Sequence, residues 1–576
     1  MEFTSVDPRV IIPTASLACY VIYKRYEPTD PLLNFLLLVG APSALTLVVE
    51  EQATLLGVLR VLLAYWALLV LFTTAYRLSP FHPLAQFPGP TVAKVSKLYH
   101  VYMVLRGDPH IIIREWHDKY GDVVRIGPNE LTFKRADAVY PILGARQLKK
   151  GPFYNIRVTE EGLPIDAIKD FDQHTIRRKP WTRALAPAAL KDYEEIILTK
   201  TELLMEKLTE RVGQDIDISA WMSYYSFDFM GKLAFAREFG MMNAGRDTEG
   251  LWHMMDTAVL ALASLSVIPW IVPALKALPG AGNSVKRFQR IASTYGTHRV
   301  STGSKSKDLW YYLMGEDGAR QNADLQYDVT ADAFTAVIAG SDTVATALSH
   351  FWYLMMRYPK CCERLCEEVD RTFPHGELPY DYNRLAEMPY LNACLNESMR
   401  VISPVLSGLQ RRVELGSGGT MIGPQYVQEF SYFPLYSTFP LANQLFVHSF
   451  VPEGTNVSVH MTSLYHNPDT FSPLPDTFWP DRWLDQVSYD LPNGTSIPKR
   501  EIKLDRASFV PFSVGQQSCP GKNLAWLQLR CIVALVMQRF RIKPAESYDL
   551  DRWEKETRDA HATLRGSLVV RLEMRT

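Results

Sequence analysis

Phe512-Ser-Val-Gly-Gln-Gln-Ser-Cys519-Pro-Gly521 is the stretch on which the reading of this chain turns. A glycine-bearing loop lets backbone come close to a flat ligand. This one delivers Cys519 to the start of a strongly apolar segment, Lys522–Arg539, that reads as a helix. The positive N-terminal end of a helix stabilises a thiolate. Pro520 suits the first helical turn, where a missing N–H leaves no bond unmade. A cysteine so placed is a candidate metal ligand, and a buried structural cysteine is the plainer alternative.

Two segments upstream bear on the choice. Ala339-Gly340-Ser341-Asp342-Thr343-Val344 lies inside a helical run, Thr330–Tyr358. Glycine at a helix centre costs ~1 kcal/mol against alanine, which is understandable if a ligand approaches the backbone there. The acid beside the hydroxyl then offers a proton path; the bland reading is a kinked helix with solvent-facing polar groups. Glu397-Ser-Met-Arg400 puts opposite charges three residues apart, on one helix face. Taken alone it reads as a surface pair, worth little.

The rest of the chain sets the frame. It has 576 residues, 47% hydrophobic and 21% charged, so a packed core is expected. A net charge of −1 argues against nucleic-acid binding through phosphate attraction. Seven scattered cysteines form no disulfide framework, which suits a reducing compartment. Three apolar stretches open the chain: Val10–Tyr23, Pro31–Val49 and Ala53–Tyr76. In the third, Leu55–Thr74 carries only Arg60 as a charge and is long enough to span a bilayer. Residues 1–80 are therefore expected to be a membrane anchor of two to three transmembrane segments. Arg77, Lys94 and Lys97 follow it, favouring a cytosolic catalytic part. On that topology the acceptor-like sequences at Asn396, Asn456 and Asn493 are chance matches.

Phe81–Pro90 is proline-rich and reads as a stiff hinge. Beyond it, Asp122–Phe133 suggests a hairpin around Gly127-Pro128. Asp192–Arg211, Trp221–Arg237, Cys361–Phe373 and Met388–Val401 read as helices, and Thr455–Met461 as a short strand. The expected fold class is mainly α with a minor β component.

Together these segments resemble the cytochrome P450 family across residues 81–576. Phe512, Gly515, Cys519 and Gly521 match the haem-binding signature, Ala339–Thr343 the central-helix motif, and Glu397 with Arg400 the Glu-x-x-Arg helix. Phe478-Trp-Pro-Asp-Arg482-Trp483 is similar to the element whose arginine joins that pair. The resemblance implies haem b with Cys519 as axial ligand, and Asp342 and Thr343 relaying protons and holding iron-bound oxygen. Ala339 and Gly340 would leave room for O₂ and substrate, and His174, Arg178 and Arg411 would contact the haem propionates. It further implies a lipophilic small-molecule substrate and membrane lipid as surroundings. Electrons would come from NADPH–cytochrome P450 reductase, docked on a basic surface including Arg177, Lys179 and Arg183. The anchor and motif variants look more like enzymes of filamentous fungi than of animals, and the resemblance implies a place in the endoplasmic-reticulum membrane. Leu251–Pro279, broken by Pro269 and Pro273, resembles the lid that dips into the bilayer.

Two departures stand out. Gln517 occupies the place of the signature's arginine, which weakens a charge-assisted propionate bond to a neutral one. Gln425–Ser449, rich in Phe, Tyr and Leu, interrupts a turn that the family joins directly. Gln425-Tyr-Val can be encoded with a fungal intron start and His448-Ser449 with an intron end. Excision would leave one histidine between Pro424 and Phe450, so 425–449 is a suspected insertion or retained intron. Cys361, Cys362 and Cys366 have no complementary ligands and are read as structural. An isomerase or dehydratase, a haem sensor and a membrane structural protein are the other functional classes weighed.

Overall fold

The computed structural model describes residues 7–28, 30–49, 54–157, 162–276, 280, 282–303, 306–318, 329–374, 376–423 and 450–575. The segment 425–449 lies outside the described residues. Helices dominate, and most fall where apolar periodicity places them: Pro187–Thr209, Ile218–Phe235, Val329–Arg357, Pro359–Thr372, Pro389–Val401 and Lys522–Arg539. The long helix Val329–Arg357 runs through the main apolar core, packed along Ile218–Phe235 and Asn283–Thr302.

The minor component is a five-stranded sheet in the order Val123–Gly127, Glu130–Phe133, Asn456–Val459, Arg411–Arg412, Lys149–Lys150. The first two strands are the expected hairpin. The last two are only two residues long, too short to announce themselves by alternation. Their antiparallel pairing sets Lys150 opposite Arg411. A second apolar cluster, including Phe87, Leu131, Val457 and Tyr465, backs this sheet.

All three N-terminal stretches are helical, but they are not equivalent. Among the described residues, Pro31–Val49 and Leu55–Leu78 are long and apolar enough to cross a membrane. Pro8–Tyr26, which contains Pro13 and ends in Lys24 and Arg25, does not meet that test. It packs against Leu55–Leu78, with Ser16 Oγ donating to the Tyr65 carbonyl at 3.3 Å. The proline-rich hinge is held at both ends. Arg77 donates to the Val95 carbonyl at 2.7 Å, and His82 sits 3.2 Å from the Arg125 guanidinium. Leu251–Val267 and Pro269–Leu275 meet at a bend of 102°, the break expected where proline cannot continue a helix.

Glu397 and Arg400 are not on the surface. Arg400 donates twice to the Glu397 carboxylate, at 2.8 Å each, and Arg482 Nε donates at 3.0 Å; all three side chains are fully buried. Trp483 Nε1 and the Trp479 backbone N–H complete the set of donors, at 2.8 and 2.9 Å. Burial opposes ionisation of Glu397, but the two guanidiniums and these N–H donors outweigh it and hold its pKa at about 2. Removing one partner from such a network strands a buried charge, at a cost of ~3–5 kcal/mol.

Candidate active site

Cys519 opens onto a cavity of about 400 Å³ that the cysteine loop, the helix Val329–Arg357 and the strand Arg411–Arg412 enclose together. The loop is shaped by close backbone contact. Gly515 has φ +75°, and a Cβ there would lie 2.5 Å from the Gly144 carbonyl oxygen, so no other residue fits. The Cys519 backbone N–H donates to the Phe512 carbonyl at 2.8 Å, closing the loop before the helix begins. Burial pushes the Cys519 thiol up, while the Gly521 and Lys522 N–H groups and the Arg178 charge pull it down. Coordination to a metal cation removes such a proton outright.

The opposite wall carries Thr335, Ala336, Ala339, Gly340, Thr343, Val344 and Ala347, a single helical face by their 3–4 residue spacing. Thr343 therefore looks into the cavity, with its hydroxyl donating to the Ala339 carbonyl at 2.7 Å. Its neighbour does not. Asp342 lies on the other side of the helix, where Arg565 donates to its Oδ1 at 2.8 Å; both side chains are 2% exposed. Arg565 also binds Thr346 and, at 2.6 Å, Ser223. The second carboxylate oxygen of Asp342 is buried without a partner. On the helix Leu251–Val267, burial and the nearby Asp342 push the Asp256 carboxyl up to about 7, with Arg565 opposing. Any proton path through Asp342 thus runs behind the helix rather than along the cavity wall.

Gly340 lines the cavity beside Met230. A Cβ at Gly340 would meet Met230 Sδ at 2.6 Å, so the missing side chain makes room for Met230 in the cavity wall. His174, Arg178 and Arg411, all more than a hundred residues before Cys519 in the sequence, line the same cavity. Arg178 donates to the Ser518 carbonyl at 2.5 Å, tying its helix to the cysteine loop. Two of the proposed docking cations are engaged internally instead. Arg177 pairs with buried Asp332 at 3.0 Å, and Arg183 with Asp317 at 3.2 Å and the Tyr312 carbonyl. Lys179 is exposed.

A family model for cytochrome P450 matches residues 88–416 and 442–562. The chain belongs to the cytochrome P450 family. It is 30% identical to cytochrome P450 monooxygenase FCK2 of Fusarium pseudograminearum over 81% of this chain and 77% of that one. Against cytochrome P450 monooxygenase prhB of Penicillium brasilianum the identity is 27%, over 89% and 99%. Against tryprostatin B 6-hydroxylase of Neosartorya fischeri it is 28%, over 82% and 79%. The chain is accordingly an oxidoreductase of the monooxygenase class, and a P450 carries haem held by a cysteine thiolate.

The residues present fit that group. Among the described residues Cys519 is the only cysteine in the cavity wall, and His174, Arg178 and Arg411 line the same cavity. Both side-chain polar atoms of Gln517 are buried with no partner, a costly arrangement that a polar ligand would relieve. Bound haem would supply O₂ activation, the thiolate donating electron density to it. Cys519 would be the iron ligand, with His174, Arg178 and Arg411 around the propionates. Of the two hydroxyls in Ala339–Thr343, that of Thr343 lines the cavity and would be the one to hold or pass a proton there.

Sequence reasoning missed three of the cavity's polar groups. Lys150 and Arg157 come from segments with no helical or strand period. His561 sits at the turn between Arg558–Ala560 and Ala562–Leu564 with φ +71°, its ring 4.6 Å from Phe153. None belongs to a motif, and only the fold brings them to the site.

Proposed function

We propose that this P450 is an endoplasmic-reticulum monooxygenase with a cytosolic catalytic domain, residues 81–576, behind an anchor formed by residues 1–80. It inserts one atom of O₂ into a lipophilic small molecule, in fungal secondary metabolism or xenobiotic oxidation. NADPH–cytochrome P450 reductase supplies the electrons, and the cofactor is haem b. The observation that carries this reading is the single cavity in whose walls Cys519, Thr343 and a mainly apolar lining face one another. The bent pair Leu251–Val267 and Pro269–Leu275, with Trp270 exposed at the bend, suits entry from the bilayer. The reduced, CO-bound protein should show the red-shifted Soret band of thiolate-ligated haem, and Cys519→Ala should abolish it. Reconstitution with reductase and a lipophilic library then tests turnover; NADPH use that no library compound stimulates would favour a haem sensor.

We further propose that residues 425–449 are an insertion or retained intron outside the functional enzyme. Support comes from the strand pairing on either side, where Met421 stands opposite Phe450. Excision would leave Ile422-Gly-Pro and one histidine between them, a loop length common in hairpins. The family match also skips 417–441, which covers the larger part of this segment. Sequencing of the mature transcript decides it: a message that retains these codons, with loss of activity when they are deleted, defeats the proposal.

A further inference from the structure

Gln517 poses a problem that the cavity itself answers. Its place in the loop calls for a cation, and its amide is neutral and unpartnered. Yet the same cavity holds a lysine that no motif accounts for. Lys150 is 6% exposed and sits directly across the strand pair from Arg411, itself 2% exposed. Like charges directly opposite on paired strands destabilise a sheet, and burial sharpens the repulsion. The ammonium has one long hydrogen bond, to the Ile165 carbonyl at 3.4 Å. Asp166, the acid whose charge acts on Lys150, is already engaged by Arg157. Burial, with Arg411, Arg157 and Arg178 as neighbours, lowers the Lys150 pKa to about 7 against the pull of Asp166. Lys150, His174, Arg178 and Arg411 thus converge on one cavity, and no carboxylate among the described residues neutralises Lys150 or Arg411 by direct contact.

We propose that Lys150 is a haem-propionate anchor that takes over the charge missing at Gln517. The inference rests on the haem reading above. It explains both anomalies at once, because a dianionic ligand beside Lys150 and Arg411 turns their repulsion into shared attraction. It also fixes the sign of two measurements. Replacing Lys150 by methionine removes a ligand contact from the holoenzyme but removes only repulsion and desolvation from the apoprotein.

The test follows haem transfer to excess apomyoglobin from the wild type, Lys150→Met, Gln517→Arg and the double variant, each first confirmed to show the thiolate-type CO spectrum. Lys150→Met should lose haem about 10- to 100-fold faster, the value of one charge-assisted bond. Gln517→Arg should slow loss in the wild type and slow it more in the Lys150→Met background, since the two cations serve one function. Lys150→Arg keeps the charge and should stay near wild type. In urea, the apoprotein of Lys150→Met should be at least as stable as wild-type apoprotein. Unchanged haem loss in Lys150→Met, or an apoprotein destabilised as much as the holoenzyme, overturns the proposal and marks Lys150 as a structural prop. A wild type without any thiolate-type spectrum overturns the haem reading and this proposal with it, whereas the outcomes above leave the haem reading standing.

Discussion

The Glu397 network and the cavity wall that holds Gln517 both contain buried polar groups, but these are satisfied in opposite ways. Glu397 receives donors from Arg400, Arg482, Trp483 and the Trp479 backbone, all from within the protein. Gln517 has no partner, Lys150 one long bond, and Arg411 faces a like charge. Buried polar groups are normally paired because an unmade hydrogen bond costs ~1–3 kcal/mol. The protein's own donors close the pairing around Glu397, whereas the pairing around Gln517 and Lys150 is left open in the cavity wall. The two regions are therefore a closed and an open polar cluster, and their responses to mutation should differ in kind.

The largest effect should come from breaking the closed cluster. Glu397→Ala strands two buried guanidiniums and should destabilise the fold by ~3–5 kcal/mol, with or without haem, as read by chemical denaturation of both forms. The pH dependence has a definite sign. The folded pKa, about 2, lies below the ordinary value of 4.5. The stabilisation is thus fully present above that ordinary value and is lost as pH falls from it toward the folded value. Glu397→Gln should flatten the stability profile in that window. An unchanged acid slope would show that the network is not closed by charge.

A second, smaller effect divides the two sides of the central helix. Thr343→Ala, on the cavity face, should leave haem binding and fold intact while diverting reducing equivalents to peroxide several-fold. Arg565→Met, behind the helix, should instead lower stability, by ~2 kcal/mol or more, because it leaves Asp342 buried and unpaired. Peroxide yield and denaturation midpoint, measured on both variants, separate the roles. If Thr343→Ala keeps full coupling of NADPH use to product, its assignment falls.

The smallest effect concerns Gly340. Alanine there gains ~1 kcal/mol of helix propensity but drives a Cβ into Met230, an overpacking cost of ~1–3 kcal/mol. A net loss of about 1 kcal/mol is expected, and the same substitution should become stabilising when made in a Met230→Ala background. A gain in the single variant would show that Met230 can move aside, returning the space to the cavity.

Much of this was legible in the chain, for identifiable reasons. Helix Lys522–Arg539 agreed to the residue, and the central helix differed by one residue at each end, because apolar period and caps are local properties. Cys519 was legible because glycine, proline and helix start are all within its own loop. The two-residue strands and the status of Pro8–Tyr26 were not, since length and pattern there are too weak to decide. The i, i+3 spacing of Glu397 and Arg400 gave the pair but not its burial, which depends on Arg482 and Trp483, more than eighty residues on.

What the sequence determined by itself, then, was chemistry carried on contiguous residues: a thiolate at a helix start, a hydroxyl on a central helix and an apolar N-terminus. The tertiary structure decided which charges meet. Asp342 and Arg565 are 223 residues apart, and Lys150 and Arg411 meet only through a strand pair. Electrostatic energy depends on distance in space and on exclusion of water, and neither is written in the order of the residues.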